Sequence, residues 1–402
     1  MEKSRLVGVT GAFLFSFLLF SAGGCKKNNP LNSSSNNTAS GSSEALSGSS
    51  SDVIKIGEVG SMTGSEATFG VSTHQGVELA IREINAAGGV RGKKLEVVLV
   101  DDQSKPDEAA TAVTKLITQN KVSAILGEVA SSRSMAMAAI AQDYKVPMIS
   151  PSSTNPKVTE LGDYIFRVCF IDPFQGEVMS KFALNNLKIK RVAILKDIKS
   201  DYSTGLSEYF AAAFKKGGGQ IVKEESYNSG DIDFKSQLTA IRTQNPEAIL
   251  VPGYYTEVGL IARQARELGI KAPLLGGDGW DSPKLTEIGG KAMENSYFSN
   301  HYSNENQAPH IQAFISNFKQ SFGVMPDGLS AMGYDAAMIL VDAMKRSKSF
   351  NAVDLRDTLA NTQSYSGVTG TITIDAKRNA IKSAVVLKVE NGYFKYQTTV
   401  NP

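Results

Sequence analysis

The stretch "VIKIGEVGSMTGSEATFGVSTHQGVELAIREINAAGGVRGKKLEVVLVDD", Val53 to Asp102, decides the architecture. "VIKIGEVG" reads as a strand, and so does "KLEVVLVDD". Between them Val77, Ala80, Ile81 and Ile84 recur at helical spacing, and Gly88-Gly89 stops the helix. A strand, a helix and a second apolar strand predict a parallel sheet with helices on both faces, because parallel strands need a crossover and both faces must be covered.

From there the alternation continues toward the C-terminus. "VSAILGEV", "VPMIS" and "YIFRV" are further strands, and "PDEAATAVTKLITQN" is a helix with Ser104 as its expected cap and Pro106 and Asp107 in its first turn. A second series begins near Asp172, with strands "RVAILKD", "QIVKEESY", "EAILVPG" and "APLLGGDG". Two series predict an α/β protein of two doubly wound, Rossmann-like lobes. Helices over 308–322 and 329–346, and short strands near 370–375, 384–389 and 393–397, are expected to pack onto those lobes.

A chain of 402 residues with 42% hydrophobic content has enough apolar material for two such cores. A net charge of +2 without a long basic run leaves no footprint for nucleic acid. Three histidines and two cysteines, Cys25 and Cys169, are too few and too scattered for a zinc cage, so no metal is expected.

The N-terminal residues carry a separate message. Lys3 and Arg5, the apolar run Leu6 to Phe20 and the small residues Ser21 to Gly24 have the order of a secretion signal, predicted over 1–24. The small residues lead to Cys25 and so resemble a bacterial lipobox, with Ala22 where Leu is commoner; Cys25 is the expected lipidation site. Residues 25–52 are Ser-, Asn- and Gly-rich and behave as a tether, since they hold too little apolar surface to form a core.

Ligands of open parallel sheets lie beyond the carboxyl ends of the strands. Those ends here are "GEVASSRS", "SPSSTNP", "KDIKSDYSTG", "VPGYYTEVG" and "LGGDGWDSP". Ser131 and Ser132 read either as helix caps or, with the helix amides, as a carboxylate site. "SPSSTNP" reads either as a turn or as a set of donors. Asp278 offers a negative charge to an ammonium, and Tyr202, Tyr254 and Tyr255 offer rings with a polar tip. No phosphate loop, no G-x-S-x-G elbow and no zinc-hydrolase or kinase signature is present, so the chain is expected to hold a ligand and not transform it, without a cofactor.

Taken together, "VGSMTGSEATFGVSTHQGVELAIREINAAGGVRGKKLEVVLVDDQSKPDEA", "ILGEVASS", "VPMISPSSTNP", "YSTGL", "VPGYYTEVG", "GDGW" and "YDAA" at Tyr334 resemble the Leu/Ile/Val-binding proteins, type I periplasmic receptors of ABC importers. The resemblance covers essentially everything from Val53 onwards. It implies two lobes joined by crossings near 171–173, 299–302 and 372–375, with lobe 1 over 53–171 and 300–373 and lobe 2 over 172–299 and 374–402. It also implies site residues. Ser131 donates to a ligand carboxylate, Ser152 and Thr154 hold carboxylate and ammonium, Tyr202 and Tyr254 line the cleft, and Asp278 faces the ammonium where relatives commonly carry Glu. Phe69 lies near the side-chain pocket, and Trp280 beside Asp278 is a candidate for specificity.

The implied function is capture of a small amino acid, with Leu, Ile or Val first, by a monomer anchored through Cys25 that delivers to an ABC permease. An amide, urea or aromatic acid on the same scaffold, or a sensory receptor role, is the alternative.

Overall fold

The computed structural model describes residues 53–402, so the expected leader, the tether and Cys25 lie outside the described residues. At its centre β1 (Val53–Gly60) pairs in parallel with β2 (Lys94–Asp101) on one side and β3 (Ala124–Leu126) on the other. β4 (Met148–Ser150) and β5 (Ile165–Arg167) complete a five-stranded sheet of order β2-β1-β3-β4-β5, all parallel. The order reverses beside β1, where a doubly wound sheet opens a crevice at its carboxyl edge.

Helices cover both faces, as apolar strands require. α1 (Ala67–Ala86) packs on one face, and α2 (Pro106–Lys115) and α3 (Ser131–Asp143) pack on the other. α4 (Lys157–Glu160) is a single turn after β4. Ser104 does not cap α2: that position is Lys105, and the Ser104 hydroxyl instead donates to the Thr63 carbonyl at 3.0 Å, tying the β2 turn to the β1 turn.

The second sheet holds seven strands in the order β15-β14-β10-β9-β8-β6-β7. β6 (Arg191–Asp197), β7 (Gln220–Tyr227), β8 (Ala248–Leu250), β9 (Leu274–Gly276) and β10 (Tyr297–Asn300) run parallel. Their helices are α5 (Asp172–Lys181), α6 (Asp201–Lys216), α7 (Lys235–Thr243), α8 (Tyr255–Glu267) and α9 (Pro283–Gly289).

The chain then returns to the first lobe through α10 (Pro309–Phe322) and α11 (Gly328–Arg346), followed by α12 (Ala352–Ala360). β11 (Tyr365–Gly367), β12 (Gly370–Ile374) and β13 (Ala380–Ile381) form a small antiparallel sheet. β14 (Ala384–Glu390) and β15 (Tyr393–Val400) are an antiparallel hairpin on the edge of the second sheet. The second sheet is therefore mixed where the sequence suggested a parallel one, because a tight turn at Asn391-Gly392 can join only antiparallel strands.

α11 lies directly against α1, and two glycines set the distance. A β-carbon on Gly76 would stand 1.9 Å from the Ser330 carbonyl oxygen, and one on Gly333 would stand 2.3 Å from that of Thr73. The last returning helix is thus seated by backbone-to-backbone approach, which only glycine permits. Gly76→Ala should lower unfolding stability in chemical denaturation, because overpacking costs about 1–3 kcal/mol and outweighs the gain of about 1 kcal/mol in helix propensity.

Candidate interlobe ligand site

The hydroxyls of Ser150, Ser152, Ser153 and Thr154 divide into two groups. Ser150 Oγ donates to the Glu128 carbonyl at 2.7 Å, and Ser153 Oγ donates to the Val129 carbonyl at 2.8 Å, so these two fasten the β4 turn to the β3 turn. Arg167, fully buried at the end of β5, donates to the carbonyls of Ser153 and, at 2.8 Å, Asn155. With the loop's backbone held, Ser152 faces the cleft, while Thr154 is buried off the cavity wall with its hydroxyl beside Asp172. Ser131, the first residue of α3, accepts the Asn155 N–H at 3.3 Å and so joins the two turns on their ligand side.

A small cavity lies between the lobes. Phe69, Ser131 and Ser152 line it from the first lobe, and Tyr202, Tyr254 and Asp278 line it from the second. Val129 and Leu329 add apolar surface. Tyr202 and Tyr254 stack with centroids 5.4 Å apart, and Phe69 meets Tyr254 edge-on at 5.6 Å. Tyr202 Oη accepts the Gly279 N–H at 3.1 Å and fixes the turn that carries Asp278.

Trp280 does not line this cavity. Its ring turns into the second lobe's core, fully buried, with Nε1 donating to the Val251 carbonyl at 3.0 Å. Gly276 makes the room, since a β-carbon there would stand 2.1 Å from the indole.

The two ends of the site differ in charge. At one end the Asp278 carboxylate accepts from Gln175 Nε2 at 2.7 Å and lies 3.0 Å from His301 Nε2. Burial pushes the His301 imidazole down to about 4, so at neutral pH it is uncharged and donates from Nε2, leaving Nδ1 unpartnered. Asp172, at the start of α5, is buried beside the Thr154 hydroxyl; burial, against the pull of that hydroxyl and with the Asp278 charge adding to it, raises the carboxyl to about 8, so at neutral pH it is largely protonated. Gln175 Oε1 is also unpartnered. This end is rich in acceptors and short of donors, which suits an ammonium. The other end is the first turn of α3 with Ser131, which suits a carboxylate.

The lobes touch around the cavity. Ser132 Oγ donates to Asp201 Oδ2 at 2.8 Å, Asn155 Nδ2 donates to the Asp201 carbonyl at 2.8 Å, and Thr256 Oγ1 donates to the Ser65 carbonyl at 2.9 Å. Phe69, Val129 and Leu329 of the first lobe belong to the same apolar cluster as Tyr255, Trp280 and Phe298 of the second. The cleft is closed.

Beneath the first-lobe half of the cavity is a buried ionic network. Arg133 Nε donates to Glu128 Oε2 at 2.9 Å and its Nη1 to Glu66 Oε2 at 2.7 Å, with Asp102 Oδ2 at 3.7 Å. Glu128 Oε2 also accepts the Ala130 N–H at 2.6 Å, just before α3. Burial raises the Glu128 carboxyl to about 7 against the opposing pull of Arg133.

Arg133, Arg167, Gln175 and His301 were not among the site residues expected from the sequence. The available signal was a charged residue inside an apolar run, as in "YIFRV"; only the fold shows what each one pairs with. Arg133→Met should cost about 3–5 kcal/mol in denaturant unfolding, because it leaves three buried or nearly buried carboxylates without their cation.

Residues 53–393 match the family described as periplasmic binding protein. A leucine-specific-binding protein from Salmonella typhimurium is 32% identical over 316 residues, covering 78% of this chain and 85% of that protein. The crystal structure of a leucine-binding protein from Thermotoga maritima superposes with a TM-score of 0.84 at 43% identity, over 87% of this chain and 99% of that one. A branched-chain amino acid transporter substrate-binding protein from Streptococcus pneumoniae, solved with isoleucine, gives 0.83 at 37% identity, over 87% of this chain and 100% of its own. With the two doubly wound lobes and the closed cleft, these likenesses make the chain a member of the periplasmic binding protein family, whose members are solute-binding proteins and not enzymes.

Proposed function

We propose that the chain is the solute receptor of an ABC importer and captures a branched-chain amino acid, with leucine, isoleucine and valine as the leading ligands. The observation that carries this is the polarity of the cavity: the Asp278 carboxylate at one end, Ser131 on a helix start at the other, and Phe69, Val129 and Leu329 as apolar wall. An α-amino acid with a branched aliphatic side chain has the complementary groups. The names and ligand of the relatives above point to the same class.

In this reading Ser131 and Ser152 receive the carboxylate, Thr154 Oγ1 bridges carboxylate and ammonium, and Asp278 receives the ammonium. Phe69, Tyr202 and Tyr254 close over the side chain, while Trp280 acts only by holding the Asp278 turn. Contacts from both lobes make the ligand bind the closed form better than the open one, and that difference drives closure. The lobes divide at the crossings near 171–173, 299–302 and 372–375. The receptor is a monomer, secreted with the help of residues 1–24, held at the membrane through a lipid on Cys25 and the tether of 25–52, and presented to an ABC permease.

A thermal-unfolding screen against the twenty amino acids and a few amides tests the reading. A ligand at about 100 times its dissociation constant adds about 2.7 kcal/mol, a shift of several degrees for lobes of this size. The shift should come with leucine, isoleucine or valine; a shift only with amides or aromatic acids would overturn the ligand class. Thr154→Ala should weaken binding by about 1.5–3 kcal/mol in calorimetry, the worth of a hydrogen bond to a charged group.

A further inference from the structure

Next to the ligand cavity the lobes meet at a second polar contact built from two carboxylates. Asp281 leaves the second lobe one residue after Trp280, and its Oδ2 accepts the N–H of Gly328 at 2.6 Å. Gly328 opens α11 in the first lobe, and Leu329, the next residue, lines the cavity. Asp327 caps the same helix: its Oδ1 accepts the Ser330 N–H at 2.8 Å and its Oδ2 accepts Ser72 Oγ at 2.6 Å. One helix start therefore carries a carboxylate from each lobe.

The approach is close by construction. A β-carbon on Gly328 would stand 2.3 Å from Asp281 Oδ2 and 2.7 Å from Asn300 Oδ1, so glycine is required for Asp281 to reach the helix. Tyr302, on the segment that leaves β10, lines the groove beside the pair, and its buried hydroxyl has no partner. Asp281 is 3% exposed and Asp327 is half-buried.

We propose that Asp281 is a positioning residue for lobe closure, a latch that holds the cleft shut while the Asp281–Asp327 pair carries one proton and loosens it when both carboxylates are ionised. Burial, then the charge of Asp327, pushes the Asp281 carboxyl up to about 7. Hydrogen bonds from the Asn300 side chain and the Gly328 N–H pull the other way but only in part, and Asp278 on its own turn adds negative charge. Tyr302 is neutral, and the charged residues farther along the groove, Glu305 and Lys395, pair with each other at 2.9 Å. In an open cleft Asp281 meets water and titrates near the ordinary value of about 4, so closing takes up a proton between those two values. The closed form thus has its full advantage below about pH 4 and loses it as the pH rises through about 7.

The proposal depends on the receptor reading only in that closure serves capture, and its first test needs no ligand. Small-angle scattering of the ligand-free full-length chain between about pH 5 and pH 8 should show a more compact wild type at the acid end. Asp281→Asn and Asp327→Asn each replace one carboxylate of the pair with a neutral isostere and should stay compact across the range, while Gly328→Ala should be more open throughout.

Leucine affinity of the wild type should fall with rising pH by up to about tenfold per pH unit below 7, with a flatter profile in both Asn variants. A pH-independent wild-type profile, or Asn variants that follow the wild type, would overturn the latch. If Asp281→Asn fails to fold by circular dichroism, Asp327→Asn, which retains a capping side chain, decides alone. A scattering response in a chain that binds no amino acid would overturn the amino-acid ligand class and leave the latch standing.

Discussion

The Arg133 guanidinium is the interaction on which the binding half of the first lobe depends. Three strand-end turns bring Glu66, Asp102 and Glu128 toward one buried point, and unpaired carboxylates there would carry a large desolvation cost. Arg133 stands on the first turn of α3, so neutralising them also fixes where that helix begins. Ser131 and the helix amides are placed by the same event. A site for a ligand carboxylate is thus held by charge pairing one layer below the atoms that would touch the ligand.

The β4 turn shows the same economy of means. Four hydroxyl-bearing residues around Pro151 look alike as a string, yet Ser150 and Ser153 spend their hydroxyls on the backbone of the β3 turn, and Arg167 takes up the loop's carbonyls. What is left for the cleft wall is Ser152, with the Thr154 hydroxyl buried beside Asp172. The ammonium end is built in the opposite sense. Its acceptors at Gln175 and Asp278 are gathered with few donors, and burial keeps His301 neutral so that it orients Asp278 without cancelling its charge. Such a cluster is costly when empty and favourable around a cation, which turns local strain into ligand-dependent closure.

Closure itself is shared among contacts of different kinds. Phe69 against Tyr254 and Tyr255 is apolar, Ser132 with Asp201 is an ordinary hydrogen bond, and Asp281 on the α11 start is electrostatic and titratable. Each is modest, as suits a receptor that must also open to release what it holds.

The sequence by itself determined the alternation of strand and helix from Val53, two parallel series, and the strand-end segments where a ligand would lie, because these follow from local periodicity and turn chemistry. Six residues expected at the site, from Phe69 to Asp278, do border one cavity, since strand ends converge wherever a doubly wound sheet reverses its order. Only the tertiary structure decided the rest. Trp280 turns into the core and not the cleft; the β14–β15 hairpin adds antiparallel strands to the second sheet; and Arg133, His301 and Asp281 find partners far away in the chain. Periodicity reports which face of an element is apolar. Which buried charges meet is set by long-range packing, and no local pattern encodes it.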